Sequence, residues 1–210
     1  MPATTKHLPA AQRRIATVKA VIELAAQQNP SEITTAAIAK HMHLTQGALF
    51  RHFRDKNAIW ESVMGWVAKR LLDSVDKASR QTASPLAALE AMFLAHIAFV
   101  ADHPGVPRMM FGELQRAEDS AAKQIARDLM GRYGQRIAVL IAAGQAAGEV
   151  AAEVDNRAAA TLLIGAVQGL VMQSMMAGRP ELMRQQAAPL FAMLRRGMAK
   201  PGHGGCEEAK

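Results

Sequence analysis

Between Thr34 and Phe53 the chain has room only for two very short helices and one tight turn, and this segment constrains the fold more than any other. Thr34 or Thr35 can cap a helix running through Ile38 and Ala39 to His41, because a threonine hydroxyl accepts from the unpaired N–H groups of a first helical turn. Met42-His43-Leu44 reads as a turn, and Thr45 can cap the next helix, covering Gln46 to about Phe53. Upstream, Ile15, Val18, Ile22 and Ala25 recur at helical spacing and predict a helix from Ala10 to Gln28. Asn29-Pro30-Ser31 ends it, since the residue before a proline is pushed out of helical backbone. Asp55 can cap a fourth, much longer helix through Trp60, Val63, Val67 and Leu71 towards Val75. Residues 1–8 read as disordered.

The remainder reads as longer helices separated by strong punctuation. Ser84-Pro85 is a cap followed by a first-turn proline and opens a helix to about Asp102, which His103-Pro104-Gly105 ends. A short helix from Val106 to Arg116 follows, then a long one from about Ser120 to Ala147 closed by Gly148. Asp155 can cap a helix from Asn156 to Ala177, stopped by Gly178-Arg179-Pro180, and the last runs from Glu181 to about Lys200. Half of the residues are apolar but only 4% are aromatic, and alanine and methionine fill the difference. Strands favour β-branched and aromatic side chains, so this balance predicts an all-α chain.

The chain carries a net charge of +7, and most of it sits at the front. Residues 1–56 hold Lys6, Arg13, Arg14, Lys19, Lys40, Arg51, Arg54 and Lys56 against Glu23, Glu32 and Asp55. A tight helix-turn-helix carrying a basic excess is a DNA-binding layout. The lone Cys206 cannot form an internal disulfide, and no secretory signal opens the chain, so a cytoplasmic location is expected. Ala158–Gly178 has no charged residue and is long enough to span a bilayer. Its alanines, Thr161, Gln168, Gln173 and Ser174 read better as a buried interface helix, so no membrane is expected.

The segment from Ile33 to Trp60 resembles the N-terminal signature of TetR-family repressors in Thr34 and Thr35, Ile38-Ala39, Gly47, Leu49-Phe50, Phe53 and Lys56. The sequence departs from that pattern twice. His43 stands where the family has a turn glycine, a position that often needs positive φ, which histidine tolerates. Phe50 stands where the family has tyrosine, so the hydroxyl that reaches a phosphate is missing and ring packing remains. The resemblance implies a DNA-binding domain over residues 1–56 and a helical effector-binding and dimerisation domain over 57–210. It directs Gln46, Gly47, Ala48 and His52 towards bases and Thr35, Thr45, Arg51 and Lys56 towards phosphates, with Arg13 and Arg14 as further candidates. Gln46 suits a bidentate contact to adenine, and Ala48 suits a thymine methyl. The alternatives are a solvated Gln46 and a surface His52.

Family members bind palindromic operators as dimers, and the helix Ala158–Gly178 with its successor resembles the dimer-forming pair. Gly165 and Gly169 are spaced to let two helices approach closely, or else serve internal packing. The family's larger domain encloses a small-molecule effector, for which the candidate lining here is Trp66, Met92, Phe93, His96, Phe99, Met110, Phe111, Tyr133, Gln168 and Met172. Otherwise these residues are simply core. Thirteen methionines suit a plastic, apolar cavity and hence an apolar effector. His96, Asp102, His103 and Glu113 form the one polar cluster that resembles a catalytic or metal site, and no catalytic, metal or cofactor motif accompanies them. The expected protein is therefore a non-enzymatic regulator without cofactor or metal, released from DNA by an effector. The alternative is an effector-independent, nucleoid-associated DNA binder of the same fold.

Overall fold

The computed structural model describes residues 9–200. The start read as disordered, Lys6 and the tail bearing Cys206 lie outside the described residues. Among the described residues the chain forms α1 Ala10–Gln27, α2 Thr35–His41, α3 Gln46–Phe50, α4 Lys56–Ser79, α5 Pro85–Asp102, α6 Gly105–Gln115, α7 Ala121–Ala146, α8 Asn156–Ala177 and α9 Glu181–Met198. A single 3-10 turn, Pro30–Glu32, precedes α2, and an isolated antiparallel bridge joins Val150 to Ala199.

Side-chain caps set the helix starts. Thr34 Oγ1 accepts from Ala37 N at 3.0 Å, which decides between the two threonines, and Thr45 Oγ1 accepts from Ala48 N at 3.2 Å. Asp55 Oδ1 and Asp155 Oδ1 accept from Ala58 N and Ala158 N at 2.8 and 2.7 Å. Gly178 ends α8 in the left-handed conformation, φ 63°.

Three expectations need correction. α3 stops at Phe50 instead of reaching Phe53, because Phe53 enters the core from the following turn and is 2% exposed. α4 continues past Val75 to Ser79. Ile15 lies on the flank of α1's buried face, which is centred on Val18, Val21, Ile22 and Ala25, and remains 45% exposed.

The chain divides into two compact units. The first takes residues up to Arg70 together with His103–Leu129; the second takes Leu71–Asp102 and the chain from Met130 onward. In the first unit, Val21, Ile33, Ile38, Leu49, Phe53, Ile59, Val63 and Met109 are buried, and α6 packs along α1. Gly105 makes that packing possible: a Cβ there would collide with the backbone carbonyl of Ile22. In the second unit α5 packs on α8 and α9, with Leu89, Phe93, Ile97, Leu163, Val167, Val171 and Phe191 inside. The Phe93 and Phe191 rings meet at 5.5 Å. Two helices, α5 and α8, are long and apolar enough by composition to cross a membrane, where the sequence pointed to α8 alone. α5 buries Met92, Phe93, His96, Ile97 and Val100 inside the protein, the ordinary fate of an apolar core helix.

Candidate functional site

The turn between α2 and α3 is built around His43, whose φ of 55° is the one positive value at a described non-glycine residue. Leu44 N donates to Ala39 O at 2.8 Å and His43 N to Lys40 O at 3.0 Å, so the turn closes without glycine. The anchored side of α3 is Leu49, 1% exposed. Its other side leaves Thr45, Gln46, Gly47, Phe50 and Arg51 exposed, with Ala48 half-buried. Phe50 is 41% exposed, so an unpartnered ring stands on this surface where a buried one would have been only core. Among the described residues, nothing beyond α3's own backbone and the adjoining residues lies within 4 Å of where a Gly47 Cβ would stand, so the backbone there is open to a close partner.

Two candidate residues are already engaged with each other. Gln46 Nε2 donates to Thr35 Oγ1 at 2.6 Å, joining the first turns of α3 and α2. His52 is half-buried; Arg13 Nη1 donates to its Nε2 at 3.4 Å, and Arg14 Nη1 donates to its carbonyl at 3.0 Å. Arg14 also donates to Ser62 Oγ at 3.1 Å and lies 4.7 Å from the centre of the Phe53 ring. Arg14 thus fastens α1 to the α3–α4 turn while its side chain stays exposed.

Lys56 opens α4, where free backbone N–H groups favour an anion. Its Nζ donates to Ser31 O at 3.4 Å and sits 4.8 Å from the centre of the Trp60 ring. Partial burial, then repulsion from Arg116, hold the Lys56 ammonium below its ordinary pKa, while Glu113 acts in the opposite direction. A cation with a weak intrachain contact and a cationic neighbour is readily drawn to a phosphate. The Lys56–Trp60 pair was legible as an i, i+4 spacing; the neighbourhood of Arg116 was not.

The second unit holds part of the proposed effector lining. Phe93, His96, Phe99 and Tyr133 are all buried. The His96 and Tyr133 rings meet edge to face at 4.9 Å and 82°. Burial drives the His96 pKa down to about 4, so the imidazole is neutral at physiological pH, and its Nδ1 has no hydrogen-bond partner. Burial also pushes the Tyr133 phenol above its ordinary range. Met92 is buried as well. Trp66, Met110 and Phe111 belong to the first unit and are half-buried, with Trp66 edge-on to His103 at 5.4 Å.

Gln168 and Met172 do not join this set. The inward stripe of α8 is Leu163, Val167, Val171 and Ser174, and the residue after each is turned about 100° away. Gln168 is exposed, and Met172 is 44% exposed. Their outer face continues through Leu162, 57% exposed, Gly165, Gly169 and Met176, 76% exposed. A Cβ at Gly165 or Gly169 would meet nothing within 4 Å, so neither glycine serves packing inside this chain.

The polar cluster picked out as resembling a catalytic site is dispersed. Asp102 pairs with Arg184, His103 meets Trp66, and Glu113 accepts from Ser120 Oγ at 3.0 Å and Arg116 Nη1 at 3.4 Å. Among the described residues no group of three His, Cys, Asp or Glu side chains has the geometry to hold a metal. One feature the sequence did not suggest is the pair Arg136–Asp76, bidentate at 2.6 and 2.9 Å across 60 residues of chain.

Comparison with known proteins places this geometry. Residues 18–63 match the model for bacterial regulatory proteins of the tetR family, and residues 82–172 match the model for the tetracyclin repressor-like C-terminal domain. Over 158 residues the chain is 23% identical to the nucleoid occlusion factor SlmA of Aliivibrio fischeri, spanning 75% of this chain and 81% of that one. The transcriptional regulator FadR of Bacillus subtilis, solved in complex with stearoyl-CoA, superposes with a TM-score of 0.76 at 16% identity, covering 88% of this chain and 98% of its own. The ketosteroid regulator KstR2 of Mycobacterium tuberculosis superposes at 0.73 with 19% identity, covering 90% and 95%. The helix-turn-helix, the helical second part and the two family matches, which together span more than half of the residues, identify the chain as a DNA-binding transcriptional regulator of the TetR family.

Proposed function

We propose that the protein is a homodimeric, non-enzymatic repressor that holds a palindromic operator through α3 and releases it when a small molecule occupies the second unit. The observation that carries the proposal is α3: a helix pinned by Leu49 that leaves Thr45, Gln46, Gly47 and Arg51 exposed within the most basic part of the chain. In this reading Gln46, Gly47, Ala48 and His52 face base edges. Thr35, Thr45, Arg51 and Lys56 hold phosphates, which set register rather than sequence. Phe50 packs its ring against the backbone. Residues up to 56 touch DNA, and residues 57–210 hold the effector and the second copy, all within the cytoplasm.

One recognition helix reads too few base pairs to find a site alone. The apolar outer face of α8, with Met193 of α9 62% exposed, supports pairing about a two-fold axis, with Gly165 and Gly169 at the closest approach. Phe93, His96, Phe99 and Tyr133 support an effector site in an apolar interior that has one unmet polar atom.

The test begins with duplexes selected from a randomised pool and footprinted. A palindrome with half-site centres about one helical turn apart, or a multiple of it, is expected. Gln46→Ala should cost about 1–3 kcal/mol of discrimination at one base pair per half-site and spare non-specific affinity. A parallel loss of specific and non-specific binding would make Gln46 a positioning residue only.

The likeness to SlmA favours a second reading, an effector-independent nucleoid-associated protein. Footprinting across a whole chromosome separates the two. A few operators near promoters support the repressor, whereas many dispersed sites support the second reading.

A further inference from the structure

The second unit carries a groove of about 450 Å³ that the sequence did not announce, lined from α4 by Asp76 and Ser79, from α5 by Met92, and from α7 by Arg132, Gln135, Arg136, Val139 and Leu140. This volume is in the range of small-molecule sites, roughly 300–1,000 Å³. The groove has two chemically distinct parts. At one end Arg136 engages Asp76, and Arg80 and Arg132 also act on that carboxylate, holding it below the usual carboxylate range. Two guanidiniums, Arg132 and Arg136, line the groove against the single carboxylate of Asp76, which leaves it net positive. At the other end Met92, 1% exposed, and Leu140 form an apolar floor, and Val139 stands 62% exposed on the rim.

One turn along α5 from the groove's Met92, outside the groove's own lining, lies an unmet polar atom. His96 follows Met92 by one turn on the same face of α5, and Tyr133, which its ring meets, sits on α7 beside Arg132. His96 is 8% exposed, and its Nδ1 has no partner.

We propose that this groove binds the anionic head of an amphiphilic effector, a carboxylate or phosphate on an aliphatic chain, with the chain lying over Val139, Leu140 and Met92. The proposal rests on the reading of the second unit as the effector-holding part. Arg132, aided by the amide of Gln135, takes the head, because the fork of Arg136 is already filled by Asp76. Asp76 competes with any incoming anion and so sets how tightly the site holds it.

Isothermal titration of the full chain with decanoate, decyl phosphate, decan-1-ol and acetate tests the assignment. Decanoate or decyl phosphate should bind saturably, one per chain, and the tighter of the two identifies the head group. Decan-1-ol should bind at least about tenfold more weakly and acetate not measurably, since neither head nor chain alone fills both parts. Arg132→Gln should weaken the anions about five- to tenfold and leave decan-1-ol unchanged. Gln135→Ala should weaken the anions in the same direction if the first variant fails to fold. Asp76→Asn should tighten the anions, which loss of a merely structural ion pair would not do. Equal binding of decanoate and decan-1-ol, or indifference of the anions to both the Arg132 and the Gln135 variant, overturns the proposal. Duplex binding is measured on the same preparations. If DNA is held and released by an uncharged compound while no anion binds, the groove assignment falls and the repressor stands. If no duplex is retained, the repressor falls and the titration still decides the groove.

Discussion

Lys56 and His96 show how one side chain's surroundings decide what it can do. Lys56 has only a 3.4 Å bond to Ser31 O and an aromatic face at 4.8 Å to hold it. Lys56→Ala is therefore expected to weaken DNA binding equally on all sequences and to lower the salt slope by about 0.9 per half-site, one phosphate contact in each copy of the dimer. An unchanged slope in titrations at several salt concentrations removes Lys56 from the phosphate-binding set. His96 makes a different prediction. Its folded pKa of about 4 lies below the ordinary 6.5, so the unfolded chain takes up the proton first as pH falls. Stability should be full above pH 6.5 and decline between 6.5 and 4, by up to ~3 kcal/mol from this one group. In urea unfolding, His96→Leu should flatten that part of the pH profile relative to the wild type. If both proteins lose stability in parallel, the imidazole is not buried neutral.

At the level of helices, what the sequence revealed was local. Thr45, Asp55, Asp155, Pro85 and Gly178 act on their own first or last turn, so their elements begin or end where those residues stand. The end of α3 was hidden because Phe53 is just as apolar in a turn as in a helix, and only its burial from the turn distinguishes them. The orientation of α8 was hidden for a related reason. A helix without charge on any side does not declare its inner face, and Gln168 and Met172 were read inward when they point out. The groove needed Asp76 and Arg136, 60 residues apart, and no local pattern joins them. α8 also supplies the clearest test of assembly. Among the described residues, nothing beyond α8's own backbone and the adjoining residues lies within 4 Å of a Cβ at Gly165 or Gly169, so Gly165→Leu and Gly169→Leu should leave the single chain folded. At a two-fold seam each added side chain acts twice, at about 1–3 kcal/mol per copy. Sedimentation at micromolar concentration should show a wild-type dimer and a monomeric double variant. A wild-type monomer removes the dimer, and a dimeric double variant moves its interface elsewhere.

For the whole molecule, charge and connectivity pull in different directions. The basic residues that suit DNA lie at the front of the chain, whereas the unit that positions them is not a continuous segment: it includes His103–Leu129. α6 comes from that later stretch, and its first residue abuts the backbone of α1 at Ile22 with no side chain between them. On the ribosome, then, the part of the protein that reads DNA is made first and finished late. Until α6, which ends at Gln115, has emerged, α1 lacks its neighbour and the apolar surface meant for α6 stays wet, an interval in which nascent chains are prone to associate. A message broken before that point yields a product with every DNA-facing residue and no completed seat for them. Such a fragment, ending at Arg70, should express as aggregate or as a loosely folded chain without operator affinity, whereas the full chain binds. A broken transcript would therefore produce an inert polypeptide instead of an operator-blocking one.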